Sequence, residues 1–349
     1  MALIPETDTT ISRIFLAYEE RENGKPRAHL GASLIGRECE RELWYAFRWA
    51  LFPYYEGRVL RLFNRGKREE DVFIRDLRAA GVTVHDVDPQ SGKQFVFSDF
   101  GGHCGGSMDG AALGLIEAPK TWHVVEMKTH GSKSFAALQR EGVEKAHPEH
   151  FAQMQLYMGW SGMNRAYYLA VNKDTDDLYG ERLELDRAVF EKLRERARWI
   201  IFAAEPPPRI TEDAEDFRCH FCTFNRVCHG PAFPKASCRT CVHATPREDG
   251  TWHCDRHDKT LSVDQQRAGC AQHLFIPPMM PVDPLQARPG WVAYMHGDDT
   301  FFNYEEGADN VPNDGPHFTS AELEQLTTEQ LPAVIAAKRA FGGRITHVA

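Results

Sequence analysis

Hydrophobic positions recur along this chain in two periods, one of about four residues and one of two. In LIGRECERELWYAFRWA (residues 34–50), Ile35, Cys39, Leu43 and Phe47 fall every fourth residue behind Ser33, whose hydroxyl suits a helix N-cap. The spacing predicts one amphipathic helix with Cys39 on its buried face. RVLRLFNRGKREEDVFIRDLRAAG (58–81) predicts a second, with Leu60, Phe63, Phe73, Ile74 and Leu77 on one stripe and Gly81 as its stop. From about Val82 to Val125 the pattern shortens to strand-length runs, VTVHDV, QFVFSDF and WHVVEMK, around the glycine-rich GGHCGGSMDG. Helical spacing returns over 148–160. RAYYLAVNKDTDDLYGERLELD then predicts a hairpin turning at NKDTDD, and a helix opens after Asp186 and stops before Pro206-Pro207-Pro208. Beyond the proline-rich IPPMMPVDP lie a hairpin pattern around WVAYMHGDDTFFNYEEG and a last helix within AELEQLTTEQLPAVIAAKRAFGG, broken or restarted at Pro332.

Length and composition narrow the class. The 349 residues suffice for about two domains with a sizeable core, and 42% hydrophobic with 26% charged residues excludes a disordered chain. Lys plus Arg is 41 against 50 Asp plus Glu, a net charge of −9, so any nucleic-acid contact must come from a local basic groove. No run approaches the ~20 apolar residues a bilayer needs, and MALIPETDTT lacks a secretory pattern. A cytosolic protein without a membrane partner is expected. In a reducing compartment nine cysteines are core thiols or metal ligands rather than a disulfide framework.

Helical geometry puts Glu70 in the middle of the second helix's apolar stripe, where a carboxylate needs a metal, a cation or strong donors. A buried structural ion pair meets that need too. Asp109 ends the glycine-rich stretch, and Glu126 and Lys128 stand two apart in VVEMK, so they share one face of a strand. Converging Asp and Glu oxygens suit Mg²⁺ or Mn²⁺, and a neighbouring lysine can hold or help deprotonate a water; a solvated strand face gives the same spacing. Gln153 and Tyr157, at i and i+4, can address one target.

The ordered set Gly66-x3-Glu70, Gly106-x2-Asp109, Glu126-x-Lys128 and Gln153-x3-Tyr157 resembles the motif series of PD-(D/E)XK nucleases, in particular their RecB-like and phage-exonuclease branch. The resemblance covers residues ~30–230. It implies an α/β, restriction-endonuclease-like fold with a mixed central sheet flanked by helices. It further implies that Asp109 and Glu126 bind the catalytic Mg²⁺ or Mn²⁺, with the Met127 carbonyl as a further ligand and Glu70 as an additional one, directly or through water. Lys128 would position the attacking water, and Gln153 with Tyr157 would hold the substrate strand or support the site. Met108 stands where the motif's proline is often found. His103 and His123 are read as local hydrogen-bonders.

The cysteines divide into four, four and one. Cys219-x2-Cys222-x5-Cys228 places three thiolates for one metal and needs a fourth ligand, for which His220 and His229 are adjacent. Cys39 together with this triplet is similar to the iron-sulfur subset of RecB-like nucleases, which implies a 4Fe-4S cluster joining the two ends of the nuclease domain, with Zn²⁺ as the alternative. Cys238-x2-Cys241-x12-Cys254-x15-Cys270 reads as a small zinc-ribbon-like module, with His243, His253, His257 and His273 as substitute ligands. Cys104 is left as a free thiol. The domain reading is 1–232 nuclease, 233–280 zinc-binding module and 281–349 a short α+β tail. The resemblance implies a metal-dependent DNA nuclease, an exonuclease of phage type in recombination or end processing, with DNA and a strand-annealing recombination protein as partners. The alternative is a nucleic-acid-binding adaptor that keeps only a degenerate nuclease core.

Overall fold

The computed structural model describes residues 9–23 and 26–346. Residues 1–8, the greater part of the segment lacking a secretory pattern, lie outside the described residues. Helix α1 (Thr10–Glu22) starts at Thr9, whose hydroxyl accepts the Ser12 amide at 3.1 Å. A short strand β1 (Leu30–Gly31) and one turn α2 (Ala32–Ile35) precede α3 (Glu40–Arg48). The unbroken helix expected from Ser33 is therefore two, and Cys39 is the half-buried N-cap of the second rather than a residue on an interior face. The break has a packing cause. A Cβ at Gly36 would stand 2.5 Å from the Glu149 Cα, so two backbones meet there.

Helix α4 (Gly57–Ala79) buries Leu60, Phe73 and Ile74 and ends before Gly81, whose φ is +84°. Phe63 departs from the expected stripe: it is 48% exposed and packs edge-on against Tyr55. Strands β2 (Thr83–His85), β3 (Val96–Asp99), β4 (Cys104–Ser107), β5 (Gly110–Leu113) and β6 (His123–His130) follow. Then come α5 (Ser132–Ala146), α6 (Pro148–Ser161), the hairpin β7 (Arg165–Asn172) and β8 (Leu178–Glu184), and α7 (Arg187–Phe202), capped by the Asp186 carboxylate. Helix α5 goes beyond the sequence pattern, because only Phe135, Leu138 and Val143 of its fifteen residues are buried and Gly142 kinks it at φ +74°.

The central sheet runs β2-β5-β6-β7-β8, with β6 and β7 parallel and every other pair antiparallel. A parallel pair needs a crossover, which α5 and α6 supply. Alternation along β6 sorts its two faces. Val125 and Met127 join Phe73, Ile74, Leu169 and Val171 in the core beneath α4. Val124, with Ala166, Tyr168 and Ala170, packs into the larger core shared with α3, α6 and α7. Glu126 and Lys128 have the parity of Val124, so two charged groups enter from the sheet's more buried side.

The late segment carries α8 (Phe217–His220), α9 (Asn225–Cys228), a three-stranded antiparallel sheet of β9 (Ala244–Pro246), β10 (Trp252–Cys254) and β11 (Lys259–Leu261), and α10 (Val263–Ala268). It is built into the main core: Trp252 packs 5.4 Å from Phe47, and Arg239, 1% exposed, lies 3.8 Å from the Trp49 ring centre. Strands β12 (Asp283–Arg288), β13 (Trp291–His296), β14 (Asp299–Tyr304) and β15 (His317–Phe318) form a last sheet with α11 (Ser320–Leu323) and α12 (Leu331–Phe341). They enclose a core of their own around Tyr294, Phe301, Phe318 and Leu331. Pro332 sits in the first turn of α12, where its missing N–H costs nothing. The chain is thus a mixed α/β protein with several sheets and, among the described residues, twelve α-helices, none long and apolar enough to cross a membrane.

Candidate active site

Asp109 immediately precedes β5, and its Oδ2 accepts the Met127 backbone amide from β6 at 2.9 Å. Glu126 is fully buried, and one carboxylate oxygen, Oε1, is ion-paired with the Lys128 ammonium. Its other oxygen, Oε2, is buried with no hydrogen-bond partner among the described residues. Such an atom normally finds a donor or a cation. Burial, strengthened by the Asp109 and Glu70 charges and opposed by Lys128, pushes the Glu126 carboxyl up to about 8. Glu70 reaches the same cluster from α4: burial and then the Asp109 charge push it up to about 7. Burial likewise raises Asp109, against the pull of Lys128 and the Met127 amide. Burial disfavours the Lys128 charge, but Glu126 and Asp109 outweigh it and hold that pKa above its ordinary value. Three carboxyls and one ammonium therefore share a single electrostatic cluster in which excess negative charge is penalised.

Gln153 and Tyr157 stand above this cluster on α6, with the Gln153 amide donating to the Tyr157 hydroxyl at 3.2 Å. Gly106 makes room for them, since a Cβ there would lie 2.6 Å from that hydroxyl. Lys128, Gln153 and Tyr157 line a cleft of about 1290 Å³, whose other residues include Arg27, Arg37, Cys39, His150 and Arg218. Of the six proposed site residues, all four charged ones meet at β5, β6 and α4, and the two polar ones open onto the cleft beside them.

Among the described residues, no three His, Cys, Asp or Glu side chains are placed ready to hold a metal ion. At the carboxylates the reason is visible, because Lys128 occupies one oxygen of Glu126 and the Met127 amide one oxygen of Asp109. The hard-oxygen donor set and the orphaned Glu126 Oε2 nonetheless suit a divalent cation.

Cys39, Cys219, Cys222 and Cys228 line one enclosed cavity of about 20 Å³, with Tyr45 and Arg218 in its wall. Burial, then the nearby Glu42 charge, pushes the Cys222 thiol up to about 12, so without a cation that sulfur stays protonated. In the second set Cys238, Cys241 and Cys254 are buried and Cys270 is exposed. Burial, reinforced by Cys270 and Cys254, pushes Cys238 up to about 11. Among the substitute histidines, His257 stands 3.8 Å from Cys270, whereas His243 bonds Glu305 and His273 bonds the Ser237 carbonyl. His253 faces Asp255 and Asp258. All nine cysteines are free. His103 and His123 each bond a backbone carbonyl, of Arg247 and Thr121.

A histidine cluster beside the site falls outside the motif spacing. The Tyr168 hydroxyl joins His130 at 2.7 Å and His150 at 2.9 Å, while Ser134 bridges His130 to His147. The period of two that pairs Glu126 with Lys128 continues to His130, so the strand pattern could have found it.

No family model and no curated protein matches the chain. Solved structures do resemble parts of it. SSO0001 is 14% identical with a TM-score of 0.38, over 63% of this chain and 96% of that one. An alkaline exonuclease from Laribacter hongkongensis, LHK-Exo, is 16% identical with a TM-score of 0.33, over 54% of this chain and 89% of that one. The same exonuclease solved in complex with dAMP gives a TM-score of 0.34 at 16% identity, with the same coverage. These likenesses are distant and partial, and they assign no role to any residue of this chain.

Proposed function

We propose that the chain is a Mg²⁺- or Mn²⁺-dependent deoxyribonuclease, an exonuclease working at DNA ends in recombination or end processing in the cytosol. One observation carries the reading: a fully buried glutamate, Glu126, keeps an unpartnered oxygen and is ion-paired with Lys128, which lines the large cleft, in one electrostatic cluster with Asp109. Asp109 and Glu126 would hold the cation with the Met127 carbonyl, and Glu70 would add a ligand directly or through water. When bound, such an ion lowers the pKa of a water and stabilises charge building on phosphate oxygens. Lys128 positions the attacking water, and Gln153 and Tyr157 hold the strand that enters the cleft. Cys39, Cys219, Cys222 and Cys228 would hold a 4Fe-4S cluster or Zn²⁺. Cys238, Cys241, Cys254 and Cys270 would hold a structural Zn²⁺. DNA is the substrate, and a strand-annealing recombination protein is the partner proposed for the tail.

The test is Lys128→Ala. It should abolish Mg²⁺-dependent degradation of linear duplex DNA while circular dichroism and the melting temperature stay those of a folded chain. Full activity in this variant would overturn the assignment. Wild-type protein that retains DNA in a gel shift but digests none with Mn²⁺ would favour the adaptor instead.

A further inference from the structure

The chain carries a net charge of −9, yet the twelve residues from Gly57 to Arg68 hold Arg58, Arg61, Arg65, Lys67 and Arg68 and no acid. Four of these, Arg58, Arg61, Arg65 and Arg68, are spaced 3, 4 and 3 apart. At 100° per residue they fall within a narrow arc of α4, opposite the side that buries Leu60, Phe73 and Ile74. Arg58, Arg61 and Arg68 are exposed and enter no ion pair with a described carboxylate, whereas Arg65 donates to the Lys173 carbonyl at 3.0 Å. Helix α1 packs against α4 where Gly57, about 20° from the edge of the stripe, approaches the Phe15 backbone, and it leaves Arg58, Arg61 and Arg68 exposed.

We infer that this arginine stripe is a track for the phosphate backbone of double-stranded DNA. The inference deepens the nuclease reading and rests on it for the identity of the ligand. Unpaired like charges held ~5 Å apart on a rigid helix repel one another, and a polyanion relieves that repulsion. The stripe spans about 15 Å, over which a duplex presents about nine phosphates. Its arc carries no exposed large apolar side chain to enter a membrane, although Leu62 borders it about 40° beyond Arg58; Phe63 lies on the opposite side, against Tyr55. The inner side of the same helix presents Glu70 to the proposed catalytic cluster, so a duplex on the stripe lies about one helix diameter, ~10 Å, from the site.

The test measures anisotropy of a labelled 30-base-pair duplex with the full chain, in Ca²⁺ across a range of KCl concentrations. It compares wild type with the triple variant Arg58→Gln, Arg61→Gln, Arg68→Gln and with the three Arg→Lys changes together. The glutamine variant should bind at least tenfold more weakly at 0.1 M salt, and its log–log salt slope should be shallower by about 2.7, three contacts' worth. The lysine variant should keep the wild-type slope. Hydrolysis of the p-nitrophenyl ester of thymidine 5′-monophosphate with Mn²⁺ should be unchanged in both. Wild-type affinity and slope in the glutamine variant would overturn the track and leave the nuclease reading standing. So would wild-type protein that binds no duplex, or a stripe that binds anionic phosphatidylserine vesicles while DNA affinity is untouched. Duplex binding through the stripe by a wild type that hydrolyses neither substrate would uphold the track and remove the nuclease.

Discussion

The carboxylate of Asp109 and the backbone amide of Met127 are joined at 2.9 Å across the antiparallel β5–β6 pair. This bond fixes the side chain's orientation and ties it to the strand that carries Glu126 and Lys128. Its charge, by contrast, is opposed by burial.

Asp109→Asn should separate these two contributions. An asparagine oxygen can still accept the Met127 amide, so the fold keeps its bond and loses an unfavourable charge. Nuclease activity should drop roughly a hundredfold or more, as when a key charge-stabilising group is removed, while the melting temperature holds or rises. Asp109→Ala should lose activity and also about 1–3 kcal/mol of stability, because the amide is left unsatisfied. Denaturant titration of both variants checks the difference.

Gly106→Ala tests the packing that aims Tyr157. The new Cβ would overlap the tyrosine hydroxyl at 2.6 Å and press the Ala32 Cβ at 3.2 Å, so the ring must move and its bond with Gln153 must break. Overpacking of this kind costs about 1–3 kcal/mol. We expect a several-fold rise in KM for linear DNA, measured against Gly106→Ser as a bulkier control that should be worse.

The sulfur sites are tested by metal content and colour. Anaerobically purified protein should contain iron and sulfide with a brown visible absorption, together with one zinc per chain. Cys219→Ala should bleach the colour and leave the zinc, and Cys241→Ala should do the reverse. A colourless wild type with two zincs reassigns the first set.

In the C-terminal unit, Glu322 is 4% exposed and accepts from Lys338 Nζ at 2.7 Å and from the Thr319 and Ile345 amides at 2.8 Å each. Burial raises its pKa, but these donors outweigh it and hold the carboxyl below its usual range. A depressed folded pKa stabilises the fold above the unfolded value near 4.3, and that contribution disappears as pH falls through the folded value. Melting of this unit should therefore drop as the pH falls below the unfolded value, and Glu322→Gln should flatten the drop. Lys338→Met should cost about 3 kcal/mol at pH 7 by leaving a buried charge unpaired. Hydrogen exchange at Tyr294 and Phe301 reports both.

The parts of the fold that could be read from sequence are those whose information is local. The strand holding Glu126 and Lys128, the Asp186-capped helix and the NKDTDD turn are each fixed by a few neighbouring residues. Helix α5 could not be read because its helical phase is interrupted at Gly142 and few of its residues are apolar. The break at Gly36 was equally hidden, since its cause is a backbone more than a hundred residues away at Glu149. At the candidate site, motif spacing brought forward the acids and Lys128, while His147 and His150 became visible only once α6 was placed against β6 and Tyr168.

The guanidinium of Arg239 lies against Trp49 and donates to the carbonyls of Phe47 and Ala28 at 2.8 and 2.9 Å. A ribosome must therefore release well over half of the polypeptide before its early indole ring can be covered. Until then the nascent chain presents bare aromatic surface, which makes it a client for chaperones during synthesis and a poor candidate for expression as a fragment ending at residue 232.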